Sequence, residues 1–153
     1  MNISDHITLA EATKSQTATR LHISNEPTEE QLKNMIFLAE MIFEPLRELK
    51  NVPIAITSFF RSEELNSAIG GSSSSQHCKG EAMDIDADIF GTWTNGEIFN
   101  YIKDNLEYDQ LIWEFGDDEN PNWVHVSIKM DGSNKCMTLR AYKDHKRTKY
   151  MVI

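Results

Sequence analysis

Two histidines and one aspartate are spaced so that a fold could close them around one divalent ion. His77 lies in the polar segment Ser75-Gln76-His77-Cys78-Lys79-Gly80, Asp84 in the alternating run Ala82-Met83-Asp84-Ile85, and His125 in Trp123-Val124-His125-Val126-Ser127. In a strand over 81–86, Ala82 and Asp84 share one face while Met83 and Ile85 point to the other. Gly80 stands where loop becomes strand, and without a Cβ it does not obstruct the turn. That turn brings the His77 imidazole back toward the Asp84 carboxylate, and Ala82 leaves room above the strand. In a second strand Val124, Val126 and Ile128 make an apolar face, with His125 on the other side. Two imidazoles and one carboxylate suit a zinc ion with one coordination position open, as in catalytic rather than closed structural sites. The competing reading makes Asp84 a turn residue and the histidines unrelated polar groups. The H-x6-D spacing does not decide between them, being far less diagnostic than H-E-x-x-H.

The elements that must position these residues are legible in outline. Thr8-Leu9-Ala10-Glu11 reads as a capping box for a short helix within 7–18, followed by a loop-rich stretch with brief helical turns. Thr28-Glu29-Glu30-Gln31 is a second capping box, and Leu32, Met35, Ile36, Ala39, Ile42, Phe43 and Leu46 recur at helical spacing. This predicts the main core helix over 29–49, kinked or ended early by Pro45. Val52 to Phe59 reads as a buried strand, and Ser62 as the N-cap of a short helix ended by Gly70-Gly71. Gly70 to Ser75 reads as a loop at the rim of the site. Thr94-Asn95-Gly96-Glu97 opens an amphipathic helix, and strands follow at 110–115 and 122–130 with an acidic loop between them. Asp131-Gly132 is a hairpin signal, with 135–142 expected to return beside the preceding strand. The basic stretch 143–150 reads as a solvated end or a last edge strand. Helices precede strands, so the expected class is α+β, with helices packed on a mostly antiparallel sheet.

Composition bounds what the chain can be. At 153 residues it is expected to form one domain, 1–153, with an ordinary core. Lys plus Arg number 15 against 24 Asp plus Glu, a formal charge of −9. That balance argues against duplex nucleic acid or an anionic membrane as the main partner. Cys78 and Cys136 form no CxxC pair and read as free thiols. The N-terminus shows neither a basic nor an apolar signal region, so synthesis in the cytoplasm is expected.

The pattern Ser-x-His-x-x-Gly-x-Ala-x-Asp followed by Trp-x-His is carried here by Ser75, His77, Gly80, Ala82, Asp84, Trp123 and His125. It resembles the zinc peptidases that cleave peptidoglycan stem peptides. These are the D-alanyl-D-alanine carboxypeptidases and dipeptidases and the phage-type L-alanyl-D-glutamate endopeptidases, whose fold is shared with the hedgehog signalling domain. Thr57-Ser58-Phe59-Phe60-Arg61-Ser62 also looks like the family's strand-end arginine motif. The resemblance implies one zinc ion per chain on His77, Asp84 and His125, and a peptide of the bacterial cell wall as substrate. It implies that Arg61 holds a substrate carboxylate or the developing oxyanion, for which a guanidinium that bonds in two places is suited. The competing role for Arg61 is a surface ion pair with Glu63 or Glu64. Ser75 and Gln76 stand as substrate contacts, or as loop residues capping backbone groups. Trp113 and Trp123 line the groove or belong to the core.

The general base departs from one common family pattern. Where several members carry an acid three residues before the last histidine, this chain has Asn122, which cannot take a proton from water. Glu114, in the otherwise apolar Leu111-Ile112-Trp113-Glu114-Phe115, is the candidate, because such a setting raises a carboxyl pKa. Its role requires a register that places 114 opposite 123 or 125, since a slip of one residue moves it to the other face. Asp117, Asp118 and Glu119 are the alternative bases in a solvated loop. Asp86 and Asp88 read as strand-end turn residues or as supports for a ligand histidine, and His6, His22 and His145 as surface residues. The expected function is a zinc peptidase of cell-wall peptides, monomeric and reaching the wall through holin-type release from a phage or prophage. A non-catalytic metal-binding or virion-associated module of the same fold is the alternative.

Overall fold

The computed structural model describes residues 1–153. A short ribbon, β1 (Asn2–Ser4) and β2 (Ile7–Thr8), runs into α1 (Leu9–Ala12). Both halves of the Thr8–Glu11 capping box form there. The next helix, α2 (Gln16–Leu21), is capped by the Ser15 hydroxyl. Thr28 and Gln31 close the second box reciprocally at the start of α3 (Glu29–Leu38). Each such pair satisfies two backbone donors that a helix start leaves free.

The expected helix over 29–49 has three parts. After α3, a π-helical turn spans Ala39–Phe43, and α4 (Glu44–Lys50) completes the rod. Pro45 has no N–H to give the carbonyl one turn back, so the chain widens ahead of it rather than stopping. Within the turn the Glu44 N–H reaches the Ala39 carbonyl. Met35, Leu38, Ile42, Phe43 and Leu46 remain on one buried face throughout.

The large sheet is assembled from β3 (Ala55–Ser58), β4 (Ala82–Asp86), β5 (Gln110–Glu114), β6 (Trp123–Ser127), β7 (Met137–Asp144) and β8 (Arg147–Val152). The order across it is β3-β4-β6-β5-β7-β8, antiparallel except for the β5–β7 pair. Two helices interrupt the strands, α5 (Glu63–Ala68) on its Ser62 cap and α6 (Asn95–Asn105). The result is α+β, with helices on a mostly antiparallel sheet. Thr94 caps Glu97 N, but the Glu97 carboxylate turns to Lys50 Nζ at 3.0 Å, so only half of that box closes. Asp86 and Asp88 bond the side chains of Asn95 and Asn120. They fasten the end of β4 to α6 and support no histidine. His6 lies at the surface as expected and sits 2.6 Å from Glu44 through Nδ1. No helix is long and apolar enough to cross a membrane.

Alternation along the strands sorts the side chains. Met83, Ile85, Leu111, Trp113, Val124 and Val126 face the helices and join one core cluster with the α3–α4 face and Ile98, Phe99 and Ile102 of α6. Trp113 is therefore core, its ring edge-on to Phe99 with centroids 5.1 Å apart. The opposite face of the same strands carries Asp84, Ile112, Glu114, Trp123 and His125.

The hairpin expected at Asp131-Gly132 does not pair 135–142 with β6. Both edges of β6 are already taken by β4 and β5, so β7 crosses over and lies parallel to β5. Buried Asp109 pins the crossing. Its carboxylate accepts the Lys135 N–H at 3.0 Å, and its carbonyl accepts that of Met137 at 2.8 Å. The Asp131 turn does form, but as a local loop closed on Ser133.

Gly80 ends the one-turn 3-10 helix Gln76–Lys79 with φ of 75°. A Cβ there would meet the Gln31 carbonyl oxygen at 2.5 Å and Met35 Cγ at 2.8 Å. Left-handed strain and overpacking then add, so Gly80→Ala is expected to destabilise the fold by about 2–4 kcal/mol. Denaturant unfolding measures this directly, and a loss below about half a kcal/mol would contradict the close approach of α3 to this turn.

Candidate metal centre

Three elements converge on the polar face of the sheet. The 3-10 turn supplies His77, β4 supplies Asp84, and β6 supplies His125, directly opposite Asp84 in the β4–β6 register. His77 Nε2 lies 3.3 Å and His125 Nδ1 3.0 Å from Asp84 Oδ1. These three ligand atoms all fall within 4.8 Å of one another and form a group that could hold a metal ion. A tetrahedral zinc site with arms of about 2.0 Å needs donors about 3.3 Å apart, so the spacing fits. The donor types fit as well.

His77 is buried and oriented from behind. Its Nδ1 lies 2.7 Å from the Phe59 carbonyl oxygen. A carbonyl only accepts, so Nδ1 donates its proton there and Nε2 is the nitrogen turned toward Asp84. The Ser75 hydroxyl caps the turn by accepting the His77 N–H. Burial pushes the Asp84 carboxyl up, but the His77 charge and the hydrogen bonds and charge of both histidines outweigh it. The carboxyl is held well below the usual carboxylate range. The surroundings thus favour the anionic form of Asp84, the form a metal ligand must have.

Arg61 follows β3 at the edge of the cluster. Its Nε donates to Ser58 Oγ at 3.2 Å and Nη1 to Asn66 Oδ1 at 3.1 Å, while Nη2 stands 3.9 Å from Asp84 Oδ2. It is anchored at the cleft and pairs with neither Glu63 nor Glu64. Gln76 Nε2 donates to Asp109 Oδ2 at 2.8 Å, which ties the histidine turn to the β7 crossing. That tie leaves no sequence signal, because the two residues meet only in space.

Glu114 pairs with Trp123, and Ile112 with His125. Glu114 thus lies on the His125 face, next to the cluster. It is only 7% exposed. Burial, then the Asp84 charge, raise its carboxyl to about 7, with His125 acting in the opposite sense. Asp117 accepts from the backbone of Glu119 and Asn120, and the exposed Asp118 pairs with Arg140 at 2.6 Å. The acidic loop does not line the cleft. Asn122 bonds through its backbone, accepting from Asn95 and donating to Glu114.

An open cleft of about 720 Å³ exposes the cluster. Arg61, Ser75, Gln76, Glu114 and Trp123 line it with the three metal-ligating candidates. The cysteines stay free, and Cys78 is not among the lining residues. A mostly antiparallel α+β sheet with a His–Asp–His cluster, a cleft and a buried acid beside it defines a class, that of metal-dependent hydrolases. Residues 5–127 match the model of the family described as Peptidase M15, and the chain belongs to that family. It is a metallopeptidase of a zinc-dependent family. No curated protein matches the sequence.

Proposed function

We propose that this metallopeptidase hydrolyses peptide bonds in bacterial peptidoglycan stem peptides, with D-Ala-D-Ala carboxypeptidase or L-Ala-D-Glu endopeptidase specificity. The observation that carries the hydrolytic reading is Glu114, a buried acid on the same sheet face as the His77–Asp84–His125 cluster, and the wall substrate rests on the resemblance of the motifs around those residues to the stem-peptide peptidases. His77 Nε2, Asp84 Oδ1 and His125 Nδ1 would hold zinc. When bound, zinc polarises a peptide carbonyl and lowers the pKa of a neighbouring water. Glu114 takes a proton from the attacking water as oxygen adds to the carbonyl carbon, and returns it to the amine nitrogen as the C–N bond breaks. Arg61, fixed by Ser58 and Asn66, binds the substrate carboxylate or the oxyanion. Ser75 and Gln76 border the cleft with polar groups, and Trp123 gives the chain of the substrate an apolar wall. The same reading places the enzyme at the cell wall after holin-type release.

Digestion of purified sacculi with and without a chelator, followed by mass analysis, tests this. Soluble fragments that end at one stem-peptide bond and vanish with the chelator are expected. If sacculi remain intact while denatured proteins are cleaved, the wall substrate is wrong. If nothing is cleaved, the fold serves as a non-catalytic module.

Arg61→Lys keeps the charge but loses the two-pronged contact and the bond to Asn66. Turnover is expected to fall by about ten- to a hundredfold with zinc content unchanged. Unaltered kcat and KM in that variant would leave Arg61 a purely structural tie.

A further inference from the structure

One wall of the cleft is built by residues outside the segment that matches the family, which ends at 127. From beyond it, β7 and β8 contribute Leu139, Lys143, Thr148 and Tyr150. The register explains the choice. Glu114 pairs with Trp123 on one side and Ala141 on the other, and Ala141 pairs with Tyr150. These four residues form a row across the polar face. Ala141 is fully buried and presents only a methyl between the acid and the phenol. With strands about 4.8 Å apart, two steps put the Glu114 and Tyr150 backbones about 10 Å apart, a span that a short stretch of peptide bridges.

Burial, then the negative charges of Glu114 and Asp84, raise the Tyr150 hydroxyl above its usual pKa. The phenol therefore stays a proton donor at neutral pH. Lys143 stands two residues beyond Ala141 on the same face of β7. Its Nζ donates to Thr148 Oγ1 at 2.8 Å and lies 5.2 Å from the centre of the Phe115 ring. None of the chain's ion pairs engages it. Arg61, Lys79, Lys129 and Lys135 also line the cleft, against the acids Glu81, Asp84, Asp109 and Glu114, and Lys129 lies 3.8 Å from Asp109. An ammonium without an acidic partner at such a cleft draws an anionic group. Arg61 enters from the β3–β4 edge and Lys143 from the β7–β8 edge, so the metal-ligating cluster and Glu114 lie between two cationic ends.

We propose that Lys143 and Tyr150 form a second anion subsite, which takes a carboxylate of the peptide on the side of the scissile bond away from Arg61. The proposal rests on the peptidase reading above. The ammonium offers charge and the phenol a hydrogen bond, the combination that a carboxylate accepts well.

The probe is the tetrapeptide L-Ala-D-γ-Glu-L-Lys-D-Ala, compared with the same peptide carrying both carboxylates as amides. Each is titrated calorimetrically into Glu114→Gln protein, which binds without turnover, with and without the added Lys143 or Tyr150 change. Lys143→Met is expected to weaken the acid peptide by about five- to tenfold and the amide by less than about twofold. Lys143→Arg should retain affinity for the acid peptide, and Tyr150→Phe should lose about threefold. Equal affinities in all variants overturn the subsite, as does an equal loss for both peptides or no binding of either. With Glu114 restored, hydrolysis of sacculi unaffected by Lys143→Met removes the subsite and leaves the peptidase. Carboxylate-dependent binding without any hydrolysis removes the peptidase and leaves the subsite.

Discussion

Glu114→Gln is expected to lower turnover by roughly two to four orders of magnitude while zinc content and fold stay those of the unaltered chain. Gln fills the same volume, but it cannot take up a proton. Glu114 has a pKa raised by burial to about 7 without metal, and a divalent cation beside it lowers that value by attraction. The acidic limb of the pH–rate profile therefore falls below about 7 and disappears in the Gln variant. The same group predicts an opposite effect on stability in the metal-free protein. A carboxyl whose folded pKa exceeds its unfolded value of about 4.5 contributes fully below that pH, and the contribution is lost as pH rises through 7. Metal-free Glu114→Gln should thus match the parent near pH 4 and exceed its stability near pH 8, by up to about 3 kcal/mol. Full turnover in Glu114→Gln would remove the base, and loss of activity on changing Asp117, Asp118 or Glu119 would place it in the acidic loop.

Loss of a metal-ligating candidate should have an effect at least as large. His77→Ala and Asp84→Asn are each expected to weaken zinc binding by roughly a hundredfold or more and to abolish detectable turnover. Removing a mere supporting partner of a ligand already costs up to about a hundredfold. Zinc titration monitored by a competing chromophoric chelator measures it. Neither change should unfold the chain, because the core is packed from apolar side chains on the other face of the sheet. Chelated native protein should likewise keep its circular dichroism and a cooperative melt. A random-coil spectrum after chelation would show instead that the metal holds the fold together. Full zinc content in His77→Ala would place the site elsewhere.

What the sequence determined by itself was local or periodic. Capping boxes at Thr8 and Thr28 and the cap at Ser62 are side chains that bond backbone a few residues away, so spacing reveals them. Alternation in 82–85 and 123–127 set Asp84 and His125 opposite the apolar residues, because a strand has only two faces. The α+β class followed from those patterns, while the metal site was one of two readings they left open, and the resemblance to the zinc peptidases chose between them. Tertiary structure alone decided the rest. The sequence could not say that β7 passes over to β5, since Asp131-Gly132 makes its turn either way; the choice depends on which edges of β6 other strands occupy. Nor could it choose the register that puts Glu114 opposite Trp123, since a shift of one residue leaves composition unchanged and moves the acid to the core face. Phe59 on His77, Asp109 on Gln76 and Tyr150 beside Ala141 are likewise pairings of residues distant in the chain. Such contacts arise from strand order and register, which no single segment encodes.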